Sequence, residues 1–231
     1  MTRAAIGIAA GSGIDLGSLL DEVHAEYPFH AWPGLAEGHV PGHACRFVEG
    51  NCGGLPVILQ CGRLHLYEGF SFEEVVRTVD VLHELGARTV IFTNAAGGLR
   101  PEMRPGDLVA ADVVRPWRCR LAALPESITP DFMVSGCDHV GAYHWMHGPC
   151  YETRAEVEAL RRLSGATVGM SIAPELVRCQ ALGIRAAVVS CVTNVCGAGE
   201  ALTHERVIET AGRSSSALCR VIRQALFAAE R

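Results

Sequence analysis

Arg63 and His65 stand two residues apart just past an apolar stretch, with Gly62 before them and Tyr67-Glu68-Gly69 after. A guanidinium makes bidentate contacts to phosphate or carboxylate, and a neighbouring imidazole can add a second hydrogen bond. A surface arginine beside a structural histidine would read the same way, but the flanking glycine and the Tyr-Glu-Gly favour an anion site. Gly11-Ser12-Gly13 follows a strand-like run and could cradle a phosphate with backbone N–H groups and the Ser12 hydroxyl; a plain turn is the competing reading. The dinucleotide fingerprint fails because Leu16 stands where its third glycine belongs, and no P-loop pattern occurs. Asn94-Ala95-Ala96-Gly97-Gly98 offers small side chains that let a ligand approach the backbone, although tight helix–strand packing needs the same residues. Glu152 directly precedes a helix cap at Thr153. It is either a charge partner of the helix N-terminus, worth ~0.3–1 kcal/mol, or a recognition group in a cleft.

Cys137, His139, His144, His147 and Cys150 fall close together and invite a zinc reading. Structural zinc takes paired ligands at C-x₂₋₄-C or H-x₃₋₅-H spacing. His144 and His147, three apart, would face opposite sides of a strand. Structural or site-lining histidines fit better, and no metal is expected.

Positioning these groups requires a scaffold, and its pattern is legible. Residues 4–10, 55–60, 89–93 and 186–192 are nearly uncharged and β-rich, as strands buried on both faces should be. Ser71 and Glu74 make a capping-box pattern before Val75, Val76, Val79, Leu82 and Leu85, with Gly86 as the stop. Thr153 and Glu156 repeat it before Val157, Leu160 and Leu163, ending at Gly165. A third helix starts near Pro174 and stops at Gly183. Residues 203–230 form one or two amphipathic helices burying Val207, Ile208, Leu218, Val221, Ile222 and Leu226. Strands alternating with helices give a single α/β domain, a sheet covered on both sides. Ligands gather in such folds where strands end and helices begin. Those junctions are Gly11-Ser12-Gly13, the Gly62–His65 stretch, the Thr93–Gly98 stretch and Thr193-Asn194.

The chain has 231 residues, 49% of them hydrophobic, enough to bury a full core. A net charge of −5 without a Lys/Arg cluster argues against a nucleic-acid partner, and 6% aromatics argue against a stacking platform for single strands. No apolar run reaches the ~18 residues of a membrane span, and the start does not read as a signal peptide. A cytoplasmic protein is expected. The ten cysteines scatter without a C-x-x-C pair and read as reduced core thiols.

Further blocks occur in order with those above: Val40-Pro41-Gly42-His43-Ala44, Gly106-Asp107-Leu108, Gly148-Pro149-Cys150-Tyr151-Glu152-Thr153, Gly169-Met170-Ser171 with Pro174-Glu175, and Thr193-Asn194. Together they make the chain resemble the trimeric purine nucleoside phosphorylases and their methylthioadenosine phosphorylase relatives, over residues 5–112 and 141–210. The resemblance implies one nucleoside phosphorylase-like domain over residues 1–231, with a mixed central β-sheet flanked by helices, in a homotrimer. The implied reaction is reversible phosphorolysis of a purine nucleoside to free base and pentose 1-phosphate, with inorganic phosphate as co-substrate and no metal or organic cofactor. Ser12, Arg63, His65, the Ala95 N–H and Ser171 would bind phosphate, and His43 would close over it from a loop. Tyr67 and Met170 would hold the sugar, and His204 would meet the 5′-hydroxyl. Tyr151 would pack on the purine, Ala96 and Gly97 would line it, and Glu152 and Asn194 would bond its edge. His65, Asn194 and Glu152 are thus the catalytic candidates.

Asn194 and His204 match the 6-oxopurine (inosine/guanosine) pattern. Methylthioadenosine relatives tend to carry Asp near Asn194 and an apolar group at His204. The alternatives are a methylthioadenosine or methylthioinosine phosphorylase, and a diverged, non-catalytic nucleoside-binding relative. Residues 113–140 depart from the family pattern. Relatives supply there an aromatic that reaches the neighbouring subunit's sugar site; here Trp117 stands amid Arg115, Arg118 and Arg120, followed by Phe132.

Overall fold

The computed structural model describes residues 4–40, 43–117, 124–197 and 203–228. Pro41, Gly42, Arg118, Cys119 and Arg120 lie outside these residues. The elements run β1 (Ala5–Ala10), β2 (Glu22–Pro28), β3 (Arg46–Cys52), β4 (Leu55–Cys61), α1 (Phe72–Glu84), β5 (Ala87–Gly98), β6 (Leu108–Pro116), β7 (His139–Trp145), α2 (Arg154–Arg162), β8 (Gly165–Gly169), α3 (Ala173–Leu182), β9 (Arg185–Val195) and α4 (His204–Ala228).

The sheet order is β2-β3-β4-β1-β5-β8-β7-β6-β9, and β5 also pairs with β9. Five strands therefore close into a ring, from which β1, β4, β3 and β2 extend as an arm. Parallel and antiparallel ladders mix: β1 runs parallel to β4 and β5, whereas β5–β8 and β6–β9 are antiparallel. Alternation along the strands separates two apolar layers. Phe92 and Val188 face α1 and α3 with Val79, Leu82 and Leu176. Ile91 and Val189 face α4 with Leu218, Ile222 and Leu226. The sheet is covered on both sides, as the pattern predicts.

Both capping boxes form: Glu74 N–H donates to Ser71 Oγ and Glu156 N–H to Thr153 Oγ1. Helix α2 ends three residues before Gly165, which instead opens β8. The C-terminal pattern is one helix, α4.

Two expected junctions are different in kind. The Asn94–Gly98 run and Thr193-Asn194 lie inside β5 and β9, which stay paired from Thr89↔Arg185 to Gly98↔Val195 with a register shift at Ala96/Gly97. Small residues end the hydrophobic signal without ending the strand. At Gly97 a Cβ would stand 2.5 Å from Cys196 Sγ, so the run is small because that wall is crowded.

Within residues 113–140, Val114 and Ile128 form an isolated antiparallel bridge, and Ile128 and Val134 are buried. Every described cysteine is a free thiol. Most are buried, but Cys150 is exposed, so it is no core thiol.

Candidate active site

The C-terminal ends of β1, β4, β5 and β9 converge on one cleft of about 660 Å³ with the start of α4. Its walls carry Ser12, Arg63, His65, Tyr67, Ala95, Ala96, Gly97, Tyr151, Glu152, Met170, Ser171, Asn194 and His204. Every residue singled out for the site is there except His43, which stands behind Ser12. The register explains the gathering. The parallel ladder sets Ala10 beside Cys61, so Ser12 and Arg63 leave adjacent strands at one level. Gly11 permits the first turn, since a Cβ there would meet Asn94 Cα at 2.7 Å.

One end of the cleft is built for negative charge. Arg63 is 1% exposed; its Nη1 donates to Ser171 Oγ at 2.8 Å, and its Nε lies 3.4 Å from Glu175 Oε1. Its Nη2 and Nε are both buried without a hydrogen-bond partner, the approach of Nε to Glu175 being an ion pair. A guanidinium in that state is costly unless an anion completes it.

His65 Nδ1 lies 2.9 Å from Glu68 Oε1, and its ring stacks on Tyr67 at 4.7 Å. Burial opposes ionisation of Glu68, but hydrogen bonds from the His65 side chain and the His39 and His65 N–H groups prevail and hold its carboxyl below the usual range. With Glu68 taking Nδ1–H, His65 keeps Nε2 for other work.

His43 Nδ1 accepts the Arg63 backbone N–H at 3.0 Å. That fixes Nε2 as the protonated nitrogen of the neutral ring, donating to Ser12 Oγ at 2.9 Å. The Ser12 hydroxyl proton is then free to point elsewhere.

The opposite end is more open. Tyr151 is 44% exposed, and Glu152 Oε1 is buried without a partner. Burial, with Glu156 adding, pushes the Glu152 carboxyl up despite its own backbone hydrogen bond. Asn194 Oδ1 lies 3.2 Å from Thr193 Oγ1, and its Nδ2 lies 3.9 Å from Cys196 Sγ. Tyr67 sits between the two ends, its phenol pushed up to about 12 by burial and by Glu68.

Gly11, Asn94, Val168, Gly169, Thr193, Cys196 and Val207 also line the cleft without having been singled out as site residues. Asn94 and Thr193 had a signal, as polar residues at the ends of apolar runs. Cys196 had none, since a cysteine just past an apolar run reads as one more core thiol. Here burial pushes its thiol up to about 11, with Glu152 adding.

Trp117 and Phe132 both lie away from the cleft, Trp117 edge-on to His144 at 6.4 Å and Phe132 under Arg185. The Cys/His group is dispersed: His139 pairs with Asp107 at 2.9 Å, His144 is buried, and Cys150 is exposed. Among the described residues no three such side chains group as metal ligands, and no helix is long and apolar enough to cross a membrane.

A mixed sheet with a cleft at its strand ends, cationic and buried at one pole, is the architecture of a known enzyme class: the chain belongs to the phosphorylase superfamily, whose model matches residues 5–125 and 139–226. Its relatives there are purine nucleoside phosphorylases, which are pentosyltransferases. Purine nucleoside phosphorylase 1 of Geobacillus stearothermophilus is 32% identical over 96% of this chain and 90% of its own length. The Bos taurus purine nucleoside phosphorylase is 30% identical, covering 94% and 86%. Among solved structures, Schistosoma mansoni purine nucleoside phosphorylase in complex with inosine superposes with a TM-score of 0.79 at 25% identity, covering 96% of this chain and 89% of that one.

Proposed function

We propose that this protein is a purine nucleoside phosphorylase acting on 6-oxopurine nucleosides, inosine and guanosine. The observation that carries the reading is the buried Arg63 with its unpartnered Nη2, facing one cleft with the Ser12 and Ser171 hydroxyls at one end and Glu152, its Oε1 unpartnered, at the other. Phosphate sits on Ser12, Arg63, His65, the Ala95 N–H and Ser171. His43 serves it through Ser12.

Tyr67 and Met170 hold the sugar, and His204 meets its 5′-hydroxyl. Tyr151 packs on the purine along Ala96 and Gly97. As the bond from the purine to the anomeric carbon breaks, its electron pair goes to the base and cationic character grows on the sugar. The phosphate dianion held by Arg63 and His65 stabilises that cation, and one of its oxygens then bonds to the anomeric carbon. Asn194 and Glu152 stabilise the departing base, which takes up a proton. Donors preset where charge develops are worth about 2.7–4 kcal/mol each. The reaction calls on no metal or organic cofactor. The working form is a cytoplasmic homotrimer.

The test is purine release from inosine, guanosine, adenosine and methylthioadenosine, each with and without phosphate. Phosphate-dependent release from the first two is expected. Preference for methylthioadenosine would overturn the substrate assignment, and silence throughout would make the protein a nucleoside binder.

A further inference from the structure

Glu175 does not line the cleft, yet it meets both Arg63 and the peptide that follows Ser171. It is 1% exposed, at the third position of α3. One oxygen, Oε2, accepts the Ile172 N–H at 2.5 Å, and the other, Oε1, lies 3.4 Å from Arg63 Nε. Arg63 Nη1 in turn donates to Ser171 Oγ at 2.8 Å. Arg63, Ser171, Ile172 and Glu175 thereby form a closed circuit, with the peptide between Ser171 and Ile172 as one link.

That link is strained. Ile172 has φ 81° and ψ −42°, a region that a β-branched residue enters only when its surroundings force it. The forces are visible. Its side chain is fully buried in the layer between sheet and helices. The Tyr143 hydroxyl donates to Ser171 O at 2.9 Å and lies 3.4 Å from Ser171 N. Glu175 takes the next N–H. A relaxed turn at Ile172 would re-aim the Ser171 hydroxyl that Arg63 holds.

We propose that Glu175 is the positioning residue of the anion subsite: its two oxygens tie the Arg63 guanidinium to the strained Ile172 peptide, so that Arg63 and Ser171 keep their spacing before phosphate arrives. This rests on the reading of that end as the phosphate site. The carboxylate acts here as a brace. Its charge by itself would repel a bound dianion, so brace and repulsion predict opposite signs.

Glu175→Gln separates them. Its one amide oxygen is needed by the Ile172 N–H, which leaves the amide NH₂ facing the Arg63 N–H groups, donor against donor. The turn survives and Arg63 is unhooked. The expected result is a phosphate KM raised on the order of tenfold, with the nucleoside KM unchanged. A phosphate KM that stays or falls would overturn the proposal.

Ile172→Gly and Ile172→Ala give a second reading that does not depend on Glu175 variants folding. Both lose the isoleucine side chain, and only glycine relieves the backbone. The Gly variant should melt at a higher temperature than the Ala variant, the reverse of the usual order, yet show the higher phosphate KM. Gly melting below Ala, or equal phosphate KM values, would mean that the strain does not hold Ser171. If purine release by the wild type needs no phosphate, the reading of the site itself falls, an outcome distinct from a phosphate-dependent enzyme whose variants show no change.

Discussion

The two ends of the cleft are built on opposite plans. At the anion end the side chains hold one another: Arg63 to Ser171 and Glu175, His65 to Glu68, Ser12 to His43. At the Tyr151 end little is tied down. Tyr151 is 44% exposed, Glu152 Oε1 has no partner among the described residues, and Asn194 lies 3.2 Å from Thr193 Oγ1 and 3.9 Å from Cys196 Sγ, both near it in the chain. A small, highly charged ion demands donors already in place, because rearranging them around it would consume the binding energy. A flat heterocycle gains from surfaces and edges that it completes itself. Substitutions at the first end should therefore damage folding and activity together, and those at the second activity or selectivity alone.

Arg63→Ala is the harshest trial. It strips the anion end of its buried cation and leaves Glu175 buried and unpaired, a loss of roughly 3–5 kcal/mol in a buried pair. Activity with phosphate should fall at least about 10³-fold, as more than one donor contact goes. Urea unfolding and initial rates at varied phosphate read the two effects. A variant with the wild-type unfolding midpoint would show that the anion end is no mutual scaffold.

Asn194→Ala should separate what Arg63→Ala joins. Loss of one donor to the leaving base lowers kcat/KM by about 10²–10³-fold. Stability should move by no more than about 0.5 kcal/mol, because the Thr193 hydroxyl keeps the Ala96 carbonyl as partner. A stability loss matching that of Arg63→Ala would erase the contrast between the two ends.

The same contrast governs what the sequence disclosed. Arg63, His65 and Ser12 were legible because charged and polar groups after an apolar strand have few structural excuses. The three helix starts were legible because capping is local chemistry: Ser71, Thr153 and Pro174 each announce the turn that follows. Strands β2, β3, β6, β7 and β8 were not. β2 is a largely exposed edge with little apolar signal, Glu49, Gly50 and Asn51 interrupt β3, and β6, β7 and β8 sit in a ring whose pairing is long-range. The ring also hid the true extent of β5, since glycines and alanines that pack against β9 look like a loop. Cys196 faces the cleft only because β9 runs on past Asn194 beside Gly98, and Glu175 braces Arg63 from more than a hundred residues away. Neither relation has a local pattern. The roles of Tyr151, Met170 and His204 came from family likeness, and the cleft places all three on its wall.

Glu152→Gln sharpens the second plan. The carboxylate oxygen without a partner becomes either an amide oxygen or an amide NH₂, so the edge it offers a base turns from pure acceptor to mixed. The inosine-to-adenosine ratio of kcat/KM should shift by about ten- to a hundredfold, as one hydrogen-bonded pair is worth about 1.5–3 kcal/mol when charged. Melting should hardly change. An unaltered ratio would mean that Glu152 does not read the base.

The smallest effect probes the first plan through protons. His43 is pushed down to about 3, first by burial and then by the positive charges of His65 and Arg63, with Glu68 opposing. Between its ordinary value near 6.5 and about 3, the unfolded chain binds a proton that the folded chain refuses. Stability is therefore full above that ordinary value and erodes as pH falls through the window. His144, pushed down to about 4 by burial and Arg115, has the same sign. Each histidine should remove about 1 kcal/mol between about pH 7 and about pH 5.5. His43→Gln, melted without phosphate across that range, should lose the His43 share of the slope and keep that of His144. An unchanged slope would mean that the folded protein admits a proton at His43. The ring could then no longer accept the Arg63 N–H, and the Ser12 hydroxyl would lose the fixed donor that aims it.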